Sequence, residues 1–210
     1  MPFLLLIRHG ENDHIKSGKM AGRIPGVHLN ERGREQAEAL AKALAEIPIK
    51  AIYSSPLERA VETATPIATA RRLGVQIEAG LLESDVGKWQ GRPWKSIQRM
   101  KAWKVVRFSP SRFRFPEGES FPEMQTRVVT ALENIIQKHA RPQDIIACVF
   151  HGDPIKLAVA HFIGLPLDHF QRLGCETGSV SALNIGEMGA ALIKLNQRPP
   201  FDFLTSPKKK

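Results

Sequence analysis

Two short segments are apolar at every position. Phe3-Leu4-Leu5-Leu6-Ile7 ends at Arg8, and Ile145-Ile146-Ala147-Cys148-Val149-Phe150 ends at His151. Both fall far short of the roughly 18 to 20 residues that cross a bilayer. A run this short with no polar side suits a strand covered on both faces, and such strands belong to parallel sheets sandwiched between helices.

The intervening sequence supplies the helices. Asn30 can cap a helix whose apolar positions Ala37, Leu40, Ala41, Leu44 and Ile47 recur at helical spacing until Pro48. Ala51 to Ser54 reads as a second strand. Ser55-Pro56 then offers a cap and a proline at the first helical position of a helix running towards Gly74, which Pro66 should kink or split. Val75 to Ile77 suits a short strand. Ser120-Phe121-Pro122-Glu123 opens a helix with Met124, Val128, Ala131, Leu132, Ile135 and Ile136 on one side, and Asp153-Pro154 starts another. Val180 to Ile185 and Ala190 to Leu195, separated by Gly186 and Gly189, read as a terminal hairpin. The expected fold is α/β: a three-layer sandwich with a central, mostly parallel sheet, forming a single domain over residues 1–200 and followed by a basic tail at 201–210.

Composition narrows the function classes. At 42% hydrophobic residues in 210, a disordered chain is excluded. The first apolar run lacks a basic leader and a small-residue cleavage site, so it reads as neither a signal peptide nor a membrane anchor. Cys148 and Cys175 form no CxxC pair, and Cys148 lies in an apolar strand pattern, so a cytoplasmic location is expected. A net charge of +9 points to an anionic partner. Much of it is local, for Val86 to Pro116 holds nine basic residues and no carboxylate, together with Trp89, Trp94 and Trp103. This segment reads as a basic, tryptophan-rich cap insertion over about 86–120. Its rings would exclude water and its charge would attract a phosphorylated substrate. A more remote alternative makes it a nucleic-acid platform.

In sheets of this type ligands gather beyond the carboxyl ends of the strands. The residues following the three strands are Arg8-His9-Gly10-Glu11, Ser54-Ser55-Pro56-Leu57-Glu58-Arg59 and His151-Gly152-Asp153-Pro154. Arginines offer paired donors to an anion, and helix openings such as the one at Gly152 add backbone amides. A neutral imidazole can attack phosphorus and carry the phosphoryl group, which makes His9 the candidate nucleophile. Glu83 is the candidate proton donor to the leaving group, with Asp85 as the alternative. A competing metal-hydrolase reading would join His9 and His151 with Glu83 or Asp85 around zinc or manganese.

With these residues in place, the sequence resembles the histidine phosphatase superfamily, the phosphoglycerate mutase-like proteins, over roughly residues 3 to 195. The resemblance rests on Leu6-Ile7-Arg8-His9-Gly10-Glu11, the helix opening from Leu29 to Ala37 and Ser54 to Ala64. It continues through Glu83 with Gly87-Lys88-Trp89-Gln90-Gly91, Phe115 to Ser120 and Phe150-His151-Gly152-Asp153. It implies a phosphohistidine at His9, phosphoryl contacts from Arg8, Arg59 and His151, Glu83 as proton donor, and no metal or cofactor. The implied partner is a small phosphorylated substrate, and relatives of this kind often form homodimers. Members with a mutase-like loop carry asparagine six residues after the nucleophile, where this chain has Ile15; Asn12 or His14 could substitute. Gly22 and Arg23 fall where relatives contact substrate. Only 67 residues separate Glu83 from His151. That spacing resembles the compact phosphatase branch, with a phosphoglycerate mutase-type phosphomutase as the alternative.

Overall fold

The computed structural model describes residues 2–139, 141, 143–186 and 188–201, so the basic tail lies, beyond Phe201, outside the described residues. The chain forms β1 (Phe3–Arg8), α1 (Asp13–Lys16), α2 (Glu31–Leu44), β2 (Ile49–Ser54), α3 (Glu58–Arg71) and β3 (Val75–Ile77). It continues with α4 (Trp94–Ile97), α5 (Lys101–Phe108), α6 (Phe121–Lys138), β4 (Ile145–Phe150), α7 (Gly152–Phe162), β5 (Val180–Gly186) and β6 (Gly189–Gln197). The six strands make one sheet in the order β3-β2-β4-β1-β5-β6. The first four are mutually parallel, and β5 runs antiparallel to both β1 and β6. Among the described residues no helix is long and apolar enough to cross a membrane.

Strand geometry explains why β1 and β4 are apolar throughout. Successive side chains point to opposite faces, so one strand feeds two cores. Leu5, Ile7, Ile52, Ala147 and Val149 pack under Leu40 and Leu44 of α2 and Ala64 and Ile67 of α3. The alternate residues Leu4, Leu6, Tyr53, Ile146, Cys148 and Phe150 meet Val128, Leu132 and Ile135 of α6 and Ile155 and Val159 of α7.

A third core belongs to the tryptophan-rich segment. Trp89, Val106, Phe113 and Phe115 bury themselves against Phe121, Met124, Leu157 and Phe170, so the segment is welded to the ends of α6 and α7. Its lysines and arginines stay at the surface while its rings turn inward, except that of Phe108, which is exposed.

Two helix starts differ from the sequence expectation. α3 begins at Glu58 with Leu57 at its cap position and no side-chain cap. The hydroxyl of Ser55, expected to cap it, hydrogen-bonds the ring of His151 instead. α7 begins at Gly152, with His151 as its cap residue. Pro66 does not split α3, which runs unbroken from Glu58 to Arg71.

Candidate active site

Register brings the chemistry together. β2, β4 and β1 are neighbours, with Arg8 opposite Phe150 and Ser54 opposite Val149. The residues that follow therefore leave the sheet side by side. The His9 amide donates to the Phe150 carbonyl at 3.0 Å and the Ser55 amide to that of Val149 at 2.9 Å. The His9 and His151 rings come to lie edge-to-face with centroids 5.1 Å apart.

The loop carrying His9 is pressed against the start of α2, which Asn30 caps as expected by accepting from the Gly33 amide. A Cβ on Gly10 would meet the Gly33 carbonyl oxygen at 2.5 Å, and one on Gly33 would meet that of Glu11 at 2.0 Å. Only glycine permits this backbone approach at both positions. Thr63 of α3 closes the loop from the other side, accepting from the Gly10 amide at 3.0 Å and donating to the Arg59 carbonyl at 2.7 Å.

The tautomer of His9 follows from its partners. Nδ1 lies 2.7 Å from the Gly10 carbonyl oxygen, which can only accept, and Arg59 Nε, which can only donate, lies 3.3 Å from Nε2. The proton is therefore on Nδ1 and the lone pair on Nε2. Burial, then the charges of Arg59 and Arg8, hold the ring well below the usual histidine range, so the imidazole is neutral near pH 7.

Two guanidinium groups flank this ring, and among the described residues neither forms an ion pair. Arg59 is 1% exposed. It donates to His9 and, at 2.8 Å, to the Gly22 carbonyl, leaving Nη1 buried without a partner. Arg8 donates from Nη1 to the Cys175 carbonyl at 2.6 Å, leaving Nε buried without a partner. Glu11 and Glu58, the carboxylates nearest in sequence, are engaged with Arg32 and the Gly26 amide respectively. Gly152 makes room for Arg8, since a Cβ there would lie 3.2 Å from its Nε and Cζ. His151 keeps Nε2 on Ser55 Oγ at 2.8 Å and turns Nδ1, buried and without a hydrogen bond, towards the same space. Burial, then Arg59, His9 and Arg8, lower its pKa well below the usual range.

Glu83 faces this group from the loop after β3. Its Oε1 accepts from the Ser84 amide and hydroxyl, while Oε2 lies 3.8 Å from His151 Nδ1. Burial raises its pKa against the opposing pull of Arg59. Oε1 is already occupied by two donors, so the proton of the acid form belongs on Oε2, the oxygen facing the cavity.

Asn12 is fully buried, caps α1 through Oδ1 and leaves Nδ2 unpartnered on the cavity wall beside Ile15. It is better placed than His14 to serve for the asparagine that Ile15 replaces. Gly22 also lines the cavity, but Arg23 does not. The Arg23 guanidinium donates to the Glu83 carbonyl at 2.8 Å and pairs with Glu119 and Asp85, so it braces the acid loop and has no free face for a ligand. Asp85 is likewise removed from the acid role, because its carboxylate pairs with Arg23 and accepts from the Gly87 amide.

Sequence reasoning missed Ser55, Thr63 and Arg127. Arg127 pairs with Glu119 at 2.7 Å and donates to the carbonyls of Gly80 and Leu82, both at 2.9 Å, fixing the approach to Glu83. A signal was present, for Arg127 sits between Met124 and Ala131 on the side of α6 that the helical period assigns to the core.

His9, Glu83 and His151 can bring one ligand atom each within 4.8 Å of one another, the spacing a metal ion would need. The adjoining unpaired guanidiniums of Arg8 and Arg59 oppose a cation there and favour an anion.

The profile of the histidine phosphatase superfamily (branch 1) matches residues 4–198. The chain is 31% identical over 195 residues to phosphoserine phosphatase 1 of Hydrogenobacter thermophilus, covering 92% of this chain and 91% of that protein. It is 31% identical over 192 residues to the 2,3-bisphosphoglycerate-dependent phosphoglycerate mutase of Thermoplasma acidophilum, covering 91% of each. The fold superposes on the mycobacterial glucosyl-3-phosphoglycerate phosphatase with a TM-score of 0.85 at 26% identity, covering 92% of this chain and 98% of that one.

Proposed function

The chain belongs to the histidine phosphatase superfamily, branch 1, and on that premise we propose that it hydrolyses phosphate monoesters of a small metabolite through a phosphohistidine at His9. The observation that carries this reading is a pair of guanidiniums with no carboxylate partner, Arg59 buried and Arg8 half-buried, on either side of a neutral imidazole that lines the cavity and keeps its lone pair on Nε2. Two positive charges side by side, one of them fully buried, call for a compensating anion. A phosphoryl dianion supplies it.

The phosphoryl oxygens take the free donors of Arg8, Arg59, His151 and Asn12. His9 Nε2 attacks phosphorus, the nitrogen–phosphorus bond forms and the bond to the ester oxygen breaks. That oxygen takes the proton from Glu83 Oε2. Glu83, now ionised, accepts a proton from water as the water attacks the phosphohistidine, which releases inorganic phosphate and restores both residues. The arginines stabilise the charge spread over the equatorial oxygens in each half-reaction. A phosphomutase would replace the water by a second hydroxyl. The Thermoplasma relative keeps that reading in view, but the phosphatase relatives favour water. Cys148 and Cys175 are both free thiols, which suits work in a reducing cytoplasm.

The test is phosphate release from a panel of monoesters in excess chelator. The wild-type protein is expected to turn over and His9→Ala to be silent. Restoration of activity only on adding zinc or manganese would refute the metal-free route.

A further inference from the structure

The cavity has two ends. The smaller, of about 100 Å³, holds His9, Arg59, Asn12 and Gly22. The larger, of about 260 Å³, opens beyond Glu83 and contains neither His9 nor Arg59. The ends share Arg8, Met20, Glu83, Trp94, Phe115 and Asp153. In an in-line displacement the leaving group departs on the side of phosphorus opposite the nucleophile, and here that side bears the proton donor. The larger end is therefore where the released alcohol sits.

Its walls differ in chemistry. One is aromatic: Trp89 together with Trp94 and Trp103, whose rings meet edge-to-face at 5.8 Å. The other carries Asp153, Lys156 and Gln171. The Lys156 ammonium is 2.7 Å from Asp153 and reaches Gln171 Oε1 at 3.5 Å, with its side chain 14% exposed. It is neutralised in place and presents no spare positive charge. The neighbouring arginines are matched as well, Arg23 by Glu119 and Asp85 and Arg127 by Glu119. Lys19 is exposed on the nucleophile side and is absent from the larger end. A carboxylate or second phosphate on the leaving group would thus enter a compartment whose cations, apart from the Arg8 that the transferred phosphoryl group engages, are already paired, beside three indole rings. A flat ring would cover those indoles and place polar edge atoms against the Asp153–Lys156–Gln171 wall.

We infer that the substrate is the phosphate ester of a ring-bearing, uncharged alcohol, its ring lying against Trp94 and Trp103, and not the ester of a short acidic chain such as serine or glycerate. This rests on the reading of His9 and Glu83 given above.

The experiment compares benzyl phosphate with O-phosphoserine and 3-phosphoglycerate. Benzyl phosphate and phosphoserine are both esters of a primary alcohol, so the bond broken is of one kind. For the wild-type protein kcat/KM is expected to be higher for benzyl phosphate by on the order of tenfold or more. Trp103→Leu should remove about that factor for benzyl phosphate while leaving phosphoserine within roughly twofold, and Trp103→Phe, which keeps a ring, should recover most of it. Phosphoserine or 3-phosphoglycerate as the better substrate, or equal slowing of both classes by Trp103→Leu, overturns the assignment.

Binding separates this inference from the catalytic one. Benzylphosphonate, which has no ester bond to cleave, should bind more tightly than methylphosphonate when followed by calorimetry. If it does so while no ester is hydrolysed, the subsite stands and the phosphatase reading falls. Equal affinity of the two phosphonates removes the subsite whatever the turnover.

Discussion

At the scale of single residues, the site depends on opposite pKa shifts within a few ångströms. Burial and two arginines keep His9 unprotonated, while burial raises the pKa of Glu83 and so favours its acid form. The proposed nucleophile is therefore ready across neutral and mildly acidic pH, and the proposed acid is lost as pH rises through the raised pKa of Glu83. Glu83→Gln should slow alkyl phosphates on the order of 10²- to 10⁴-fold, with a much smaller effect on 4-nitrophenyl phosphate, whose leaving group needs no proton. The alkaline fall in kcat/KM for alkyl esters should disappear in this variant. Paired pH profiles on the two substrates check this, and equal slowing of both would take Glu83 out of the role. His9, Arg8, Arg59, His151 and Glu83 were legible because each stands in a strand-end or loop motif that names its chemistry. Ser55, Thr63 and Arg127 were not, because a hydroxyl or an arginine on a helix face declares no partner until the fold supplies one. The structure also engages two of the candidates elsewhere, giving Arg23 and Asp85 to each other and to the frame of the acid loop.

At the scale of elements, the proposed nucleophile, His9, is positioned by how closely α2 approaches the loop after β1. Alanine at Gly33 would gain about 0.5–1 kcal/mol in helix propensity. Against this, its Cβ would lie 2.0 Å from the Glu11 carbonyl oxygen, a backbone atom that cannot rotate away. Overpacking of this kind costs typically about 1–3 kcal/mol, so the clash wins. Gly33→Ala is expected to lower stability by about that margin in urea unfolding and to lower kcat by moving the His9 loop. A variant as stable and as active as wild type would show that the loop can yield. The helices with strong apolar periods, α2 and α6, were readable from sequence, and so was the Ser120 cap, which forms a full capping box with Glu123. The start of α3 was misread because Ser55-Pro56 has cap chemistry, but tertiary structure gives the Ser55 hydroxyl to His151. A strand-end turn that must serve a neighbouring strand cannot also obey the local helix rule.

At the scale of the whole molecule, the basic residues of the tryptophan-rich segment lie at the surface and not in the leaving-group cavity. Lys95, Arg99, Lys101, Lys104, Arg107 and Arg112 of the tryptophan-rich segment are all exposed. At this scale they are expected to raise the encounter rate with an anionic substrate, an effect that salt screens over a Debye length of about 10 Å at 0.1 M. Raising potassium chloride from about 0.01 to 0.5 M, a range over which that length shrinks severalfold, should lower kcat/KM for a phosphate ester several-fold with little change in kcat. A salt-independent kcat/KM would deny the surface charge this role. The same segment shows where sequence stops. Its composition announced aromatic rings and positive charge together, and periodicity could not separate them, since the helices within it are short and interrupted by Gly and Pro. Tertiary packing separated them by turning every ring but that of Phe108 onto α6, α7 and the cavity and leaving the charges outside. By itself the sequence determined the α/β sandwich, through strands apolar on both faces and helices with one apolar stripe, and it marked the strand ends as the place of chemistry. Only the tertiary structure decided that His9, Ser55 and His151 meet, because strand order and register are settled by packing between segments 95 to 142 residues apart. It alone also decided which arginines stay unpaired to receive an anion, because pairing depends on distance in space and not on spacing along the chain.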